Sequence, residues 1–169
     1  LDQSMLTLGP QLEKFEAAFC KYTKSKYAIA VSNCTAGLHL SLKALGIKEH
    51  DEVIIPDLTF VADASAILSC NAKPVIVDIN ENDFFLSISN LKKNITKRTK
   101  AIIPVHIYGQ VCNIDEVLDV ALDNNLKIIE DCAHAVGTFH NSKHVGTLGN
   151  TGCFSFYPTK NITTAEGGM

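Results

Sequence analysis

The sequence lacks a basic excess, a long apolar run and a leader-like start. Lys and Arg number 15 against 18 Asp and Glu, so the formal net charge is −3 at pH 7. A surface that binds nucleic acid or an anionic membrane needs the opposite excess. No apolar run approaches the roughly 20 residues that span a bilayer, and Leu1-Asp2-Gln3-Ser4 shows neither the basic nor the hydrophobic region of a signal peptide. We therefore expect no signal peptide, no nucleic-acid partner and no membrane partner.

Paired cysteine motifs are also absent. The six cysteines stand at positions 20, 34, 70, 112, 132 and 153, with no CxxC pair among them. A chain of this size needs no disulfides for stability, and most of these cysteines lie in apolar runs. The sequence therefore favours buried free thiols and a cytoplasmic location.

The common metal, nucleotide and hydrolase signatures are missing too. Cys132-Ala133-His134 together with Cys153 matches no usual zinc-ligand spacing, so no metal is predicted. No GxGxxG follows the first apolar segment, and neither GxxxxGK[ST] nor GxSxG occurs. Dinucleotide-binding, P-loop and Ser-His-Asp hydrolase functions therefore have no support.

The 169 residues, of 18.4 kDa, fit one globular domain with 46% hydrophobic and 20% charged residues. Periodicity predicts helices over 10–24, 36–45, 60–69, 87–93 and 114–124. It predicts strands over 26–31, 52–55, 74–79, 100–105, 126–130 and 152–156. Apolar strands separated by helices predict an α/β, three-layer fold with a mostly parallel central sheet covered on both faces. Ligands bind at the carboxyl ends of such strands.

Two charged residues follow predicted strands. Asp131 stands at the tip of an apolar strand, where a carboxylate is costly to bury without a cation or donors. It either caps the next turn or faces a cationic ligand group. Lys160 has an aromatic flank, and a lysine in a partly apolar pocket can supply a free amine for Schiff-base chemistry. An ordinary surface lysine is the alternative interpretation.

A strand-to-helix junction at 32–37 is the third candidate. The free N–H groups of a first helical turn suit a phosphate, and the hydroxyls of Thr35 and the distant Ser155 could add donors. A plain helix N-cap without a ligand is the alternative.

The order of these features resembles the sugar-nucleotide aminotransferase family of the DegT/DnrJ/StrS type, which binds pyridoxal 5′-phosphate (PLP). The resemblance covers essentially the whole chain. Its matching stretches are Leu6–Pro10, Val31–Leu40, Pro56–Ala62, Lys73–Asp78, Val105–Gln110, Ile129–Ala135 and Phe154–Gly168. It implies the large domain of the PLP-dependent transferases of fold type I.

The resemblance also implies roles for individual residues. Lys160 matches the lysine that forms the internal aldimine with PLP, and Asp131 matches the carboxylate that pairs with the pyridinium nitrogen. His134 stands where the family has His or Gln near the phenolic oxygen of the cofactor. Phe60 matches the aromatic residue that stacks on the ring.

The remaining implied cofactor contacts form the phosphate cradle, to which Thr35, the backbone at Ala36, and Ser155 correspond. Two positions depart from the family, which usually has Gly at the position of Cys34 and often Ala at the position of Gly37. A Cβ at position 34 would crowd the phosphate if the backbone there needed a positive φ.

The activity implied is transfer of an amino group from glutamate or glutamine to a keto sugar linked to a nucleotide, in a homodimer. A non-catalytic relative that binds PLP or a sugar nucleotide is one alternative, and an inactive truncated fragment is another. Members of the family run to about twice this length, and the chain begins with Leu and stops at Met169. We therefore expect residues 1–169 to be an incomplete PLP-binding large domain, without the C-terminal small domain.

Overall fold

The computed structural model describes residues 8–169. Leu6 and Thr7, which open the first stretch of the resemblance, lie outside the described residues. The helices are α1 (Pro10–Thr23), α2 (Cys34–Ala44), α3 (Ala62–Leu68), α4 (Ile88–Asn94) and α5 (Ile114–Asn124), with a 3-10 turn at Ile107–Gly109. The strands are β1 (Glu52–Pro56), β2 (Lys73–Val77), β3 (Thr99–Ile102), β4 (Lys127–Asp131), β5 (Phe139–His140), β6 (Lys143–His144) and β7 (Thr151–Cys153).

Five of the strands form one parallel sheet in the order β2-β1-β3-β4-β7, while β5 and β6 form a separate antiparallel pair. All five residues of β1 are buried, which explains why this central strand is apolar throughout its interior. The parallel arrangement brings the carboxyl ends of β1, β3, β4 and β7 to one edge of the sheet.

Helices cover both faces of the sheet. Because side chains alternate along a strand, Val53 and Ile55 pack with α2 and α3 on one face, whereas Ile54 packs with α4 and α5 on the other. The predicted three-layer α/β architecture with a parallel central sheet is confirmed. In the described part of the chain, none of the helices is both long and apolar enough to cross a membrane.

A third apolar cluster joins α1 to the segment after β7. The ring of Phe19 meets that of Phe154 edge-on at 5.0 Å between centroids, and Phe15 meets Phe156 in the same way at 5.3 Å. These aromatic pairs fix the path of the chain from Phe154 onward, which leads to the candidate site.

The predicted strand over 26–31 is wrong. This segment makes a single antiparallel bridge, between Val31 and Gly168, and leaves Tyr27 and Ile29 exposed. The N–H of Ala30, which a strand would use for pairing, donates instead to Oε1 of Glu16 at 2.8 Å. A helix side chain therefore takes the place of a neighbouring strand.

Two of the strands that end earlier than predicted have a cause in the backbone. The strand predicted over 100–105 ends at Ile102, because Pro104 has no N–H to continue the ladder. The strand predicted over 152–156 ends at Cys153, since the chain beyond it turns to antiparallel pairing, in which Phe154 exchanges hydrogen bonds with Met169. The β5–β6 hairpin was not predicted. Its turn residues Asn141 and Ser142 both have positive φ, the conformation typical of a tight hairpin.

Candidate active site

Asp131 lies at the carboxyl edge of the sheet and is held from both sides. It is the last residue of β4 and is 5% exposed. Its N–H donates to the carbonyl of Pro104 at 2.9 Å, and its own carbonyl accepts from the N–H of His106 at 3.0 Å. On the other side it pairs with Cys153 of β7. The sheet therefore fixes the position from which this carboxyl group projects.

The carboxyl group of Asp131 has few donors for a buried anion. Oδ1 accepts from the N–H of Ala133 at 2.8 Å, which is the turn cap that one interpretation of the sequence expected. Burial raises the pKa of Asp131, and this rise is opposed by the Ala133 N–H and by the positive charges that His134 and Lys160 can carry. A cation placed against this carboxyl would replace the solvation that burial removed.

A fully buried pair, His106 and Glu130, lies next to Asp131 at the end of β4. Nε2 of His106 lies 3.0 Å from Oε2 of Glu130, and Nδ1 of His106 accepts from the N–H of Cys112 at 3.2 Å. The carboxylate also accepts from three backbone N–H groups in the loop 146–149, at 2.7 to 2.8 Å. Sequence reasoning missed this pair, although a Glu inside a buried strand is a signal that it needs partners.

His134 lies beside Asp131 as a half-buried imidazole. Its Nδ1 accepts from the N–H of Tyr108 at 3.3 Å, and the two rings stack with centroids 5.8 Å apart and an angle of 10° between the planes. Burial lowers the pKa of His134, as does the charge of Lys160, while Asp131 opposes both effects. The imidazole is therefore neutral at pH 7, and with Nδ1 as the acceptor its Nε2–H can donate to a ligand.

Lys160 faces the same region from the loop after β7. Its N–H donates to the carbonyl of Tyr157, which closes a turn, and its side chain is half-buried. Within residues 8–169 its Nζ makes no hydrogen bond or ion pair, yet its charge reaches Asp131, His134 and Cys34 strongly enough to alter their pKa values. The structure therefore brings Lys160, Asp131 and His134 to one site.

The first turn of α2 forms another part of this edge. Asn33 caps the helix, because its Oδ1 accepts from the N–H of Ala36 at 2.9 Å. The N–H predicted at Ala36 for a phosphate is thus already used, whereas those of Cys34 and Thr35 have no acceptor in the described chain. Thr35 is exposed, and Cys34 has no positive φ, so the crowding considered from the sequence does not arise.

Ser155 and the start of α2 are joined through Gly168. Gly168 forms antiparallel bridges with Ser155 on one side and Val31 on the other. An added Cβ at Gly168 would lie 2.7 Å from the backbone N of Cys34, so only glycine permits this approach. Ser155 itself is buried, and its Oγ accepts from the N–H of Tyr157 at 3.4 Å.

Phe60 lies in the loop between β1 and α3 with 71% of its surface exposed. Its carbonyl accepts from the N–H of Asp63 at 3.2 Å, and the carboxyl group of Asp63 lies within hydrogen-bond reach of Asp131. The Phe60 loop therefore belongs to the same edge. Sequence reasoning did not single out Asp63, whose only signal is one acid at the start of an apolar helix.

One group of possible metal ligands occurs in the described chain, formed by His106, Glu130 and Cys132. It differs from the cysteine and histidine set considered from the sequence. Both oxygens of Glu130 already accept from backbone N–H groups, and burial raises the pKa of the Cys132 thiol well above its usual value. Because its carboxylate is already satisfied by backbone donors, this group has the chemistry of a packed core.

The donor set of the edge fits PLP. The molecule needs an anion for its ring nitrogen, an amine for its aldehyde and N–H or O–H donors for its phosphate. Asp131 and Lys160 provide the first two, and the start of α2 provides unpartnered N–H groups. The exposed ring of Phe60 offers an apolar surface on the same edge.

Comparison with known proteins also identifies an aminotransferase family. The model of the DegT/DnrJ/EryC1/StrS aminotransferase family matches residues 1–169. The GDP-perosamine synthase of Caulobacter vibrioides is 48% identical over 163 residues, which are 96% of this chain and 44% of that protein. The chain thus spans under half the length of the curated relatives that it matches.

Solved structures agree. DesV of S. venezuelae, in complex with a ketimine intermediate, superposes with a TM-score of 0.91 at 39% identity, over 95% of this chain and 44% of that one. NtdA of Bacillus subtilis, with bound cofactor PMP, gives a TM-score of 0.90 at 34% identity, over 95% of this chain and 36% of that one.

Proposed function

Because the chain belongs to the DegT/DnrJ/EryC1/StrS aminotransferase family, we propose that the protein transfers an amino group to a keto sugar linked to a nucleotide, with PLP as its cofactor. One observation carries the proposal. Lys160, His134 and Asp131 lie close enough at one sheet edge for the charge of Lys160 to alter the pKa values of the other two.

Each residue has a role that follows from its surroundings. When bound, PLP supplies an electron sink for the bond that breaks at the substrate carbon. Nζ of Lys160, which has no partner in the described chain, would hold the aldehyde of the cofactor and, once displaced by the amino donor, would accept and return the proton. The Asp131 carboxylate holds the proton on the ring nitrogen, and Nε2–H of His134 donates to the phenolic oxygen.

The remaining residues orient the cofactor. The ring of Phe60 covers one face of the heterocycle and excludes water from it. The free N–H groups at the start of α2 bind the phosphate, with the hydroxyls of Thr35 and Ser155 and the backbone at Ala36 beside them.

We propose glutamate or glutamine as the amino donor and a homodimer as the working assembly. The only arginine of the chain, Arg98, bonds to Glu52 at the amino-terminal end of β1, opposite the site. Arginine is the usual partner of carboxylates and phosphates. Binding of an anionic donor and a nucleotide by arginine would therefore use side chains from outside these residues, and a second subunit is one source.

We also propose that residues 1–169 correspond to the PLP-binding large domain and that the protein acts in the cytoplasm. The first proposal rests on the coverage of 44% of the length of the GDP-perosamine synthase from Caulobacter vibrioides. The second rests on six free cysteines, five of which are buried.

The test uses the full-length protein with PLP. Borohydride should fix the cofactor covalently to Lys160, as peptide mass spectrometry would report, and glutamate should convert the bound cofactor to its amine form. A nucleotide-linked keto sugar should then restore the starting spectrum and yield an amino sugar. Lys160→Ala should abolish trapping and lower turnover by at least about 100-fold.

Lys93→Ala is the matched control, since Lys93 is exposed on α4 away from the site. Turnover in Lys160→Ala at the native rate, or trapping at a different lysine, would refute the assignment. Binding of PLP without conversion by any amino donor would identify a non-catalytic relative instead.

A further inference from the structure

Asp63 is a buried acid that the proposed function leaves without a role. It lies in the first turn of α3 and is 0% exposed. Its Oδ2 accepts from Oγ1 of Thr59 at 2.5 Å. Its Oδ1 is buried and has no partner in the described part of the chain. An unpaired oxygen in the interior is costly, so its chemical state needs an explanation.

The carboxyl group of Asp131 lies within hydrogen-bond reach of Asp63. Two buried carboxylates in contact repel each other strongly, and such a pair retains one proton between them. Burial and the charge of Asp131 raise the pKa of Asp63 well above its usual value.

The surroundings decide which carboxyl group holds the proton. Asp131 accepts a hydrogen bond from the Ala133 N–H, and the charge of Lys160 favours its anion. Asp63 has the hydroxyl of Thr59 as its one favourable partner. Because Oδ2 already accepts from Thr59, the proton belongs on Oδ1, where it turns an orphaned acceptor into a donor.

We propose that Asp63 is a neutral acid that donates a hydrogen bond from Oδ1 to the carboxylate of Asp131, and that it is a positioning residue for the group that faces the ring nitrogen of the cofactor. The role toward the cofactor rests on the proposed function, whereas the shared proton does not.

Other titratable groups face this pair from the neighbouring elements. They are Cys34 of α2, Cys153 of β7, His106 after β3, and His134 and Lys160 at the site. Burial raises the pKa values of both thiols, which keeps them neutral at pH 7. The charge of Lys160 favours the anion of Asp131, which gives the same distribution of the proton.

The direct test is carboxyl-carbon NMR of full-length, cofactor-free protein labelled with ¹³C-aspartate. The signal lost in Asp63→Asn identifies Asp63. At pH 7 it should have the chemical shift of a protonated acid. A carboxylate shift at pH 7 would overturn the proposal, whatever the protein does with PLP.

Two variants test the effect on Asp131. Asp63→Asn can accept from Thr59 and donate through its amide, so the pKa of Asp131 should stay within about half a unit of the native value. Asp63→Leu has similar volume but no donor, and it should raise the pKa of Asp131 by about one to two units. A merely structural Asp63 would leave that pKa unmoved, and this result would also overturn the proposal. The same two substitutions at exposed Asp123, on α5, are the controls and should change nothing.

Measurement of PLP affinity separates this inference from the proposed function. Asp63→Leu should weaken PLP binding by about 10-fold or more, while Asp63→Asn stays within about threefold of the native affinity. Equal affinities in all three proteins would overturn the positioning role. Failure of the native protein to bind PLP would refute the proposed function, and the NMR result would still decide the state of Asp63.

Discussion

Glu130→Gln is a nearly isosteric change that tests the anchor behind the candidate site. The native carboxylate accepts from Leu148 N–H and Gly149 N–H through Oε1, at 2.8 and 2.7 Å. Through Oε2 it accepts from Gly146 N–H at 2.8 Å and lies 3.0 Å from Nε2 of His106. All four partners donate hydrogen bonds to the carboxylate. The amide nitrogen of glutamine is also a donor, so it cannot accept from the partners on whichever side it occupies.

The magnitude follows from counting the bonds that the amide cannot make. With its nitrogen in place of Oε1, glutamine leaves the N–H groups of Leu148 and Gly149 without an acceptor. With its nitrogen in place of Oε2, glutamine loses the hydrogen bond from Gly146 N–H. Nε2 of His106 must then become an acceptor, so Nδ1 takes the proton and gives up its bond from Cys112 N–H. Two hydrogen bonds are lost either way, at about 1–3 kcal/mol each, which gives about 2–6 kcal/mol.

The assay is urea unfolding of the cofactor-free protein, followed by circular dichroism. Glu130→Gln should lower the midpoint with little change in slope, because the same surface becomes exposed on unfolding. A loss of about 4 kcal/mol is a large share of the 5–15 kcal/mol typical of a folded protein. The control is Glu81→Gln, at an exposed position, which should change the free energy of unfolding by less than about 0.5 kcal/mol.

A loss below about 1 kcal/mol in Glu130→Gln would refute this reasoning. It would mean that the loop 146–149 and His106 are held in place without the carboxylate. A large loss in the Glu81 control would show instead that the assay responds to charge in general.

Two further predictions concern ionisation. The Thr96 hydroxyl and then Arg98, at 2.6 and 2.7 Å, lower the pKa of Glu52 against the opposing effect of burial. The stabilisation is therefore complete above the ordinary glutamate pKa of about 4.3 and is lost as the pH falls through the lowered value. Glu52→Gln should flatten acid unfolding curves in that range, and an unchanged acid dependence would contradict this cause. Burial and then Lys160 lower the pKa of His134, so Lys160→Gln should raise it, as NMR titration would show, and a further fall would reverse the assigned sign.

The layers of the fold could be predicted from the sequence because their causes are local. β1 reads as an apolar run since the sheet buries it on both faces. The start of α2 was recognisable because Asn33 is a good cap, and the structure shows its side chain bonded to Ala36 N–H. Asp131 and Lys160 stood out because one charge beside apolar residues is conspicuous in a sequence.

Other features depend on contacts between distant residues. The segment 26–31 has a strand-like composition, but its backbone is satisfied by Glu16 and by one bridge to Gly168. The hydrogen bonding of Glu130 depends on a loop that follows it by 16 to 19 residues. Periodicity does not report such partners, because it records only which face of an element is buried.

The sequence by itself therefore determined the α/β architecture, the family and the residues that carry conspicuous charge. Only the tertiary structure decided that Asp63 interacts with Asp131 and that His106 supports the strand end. The physical reason is that burial and hydrogen-bond partners set the protonation state of a side chain, and both are created when separate strands end at the same edge of a sheet.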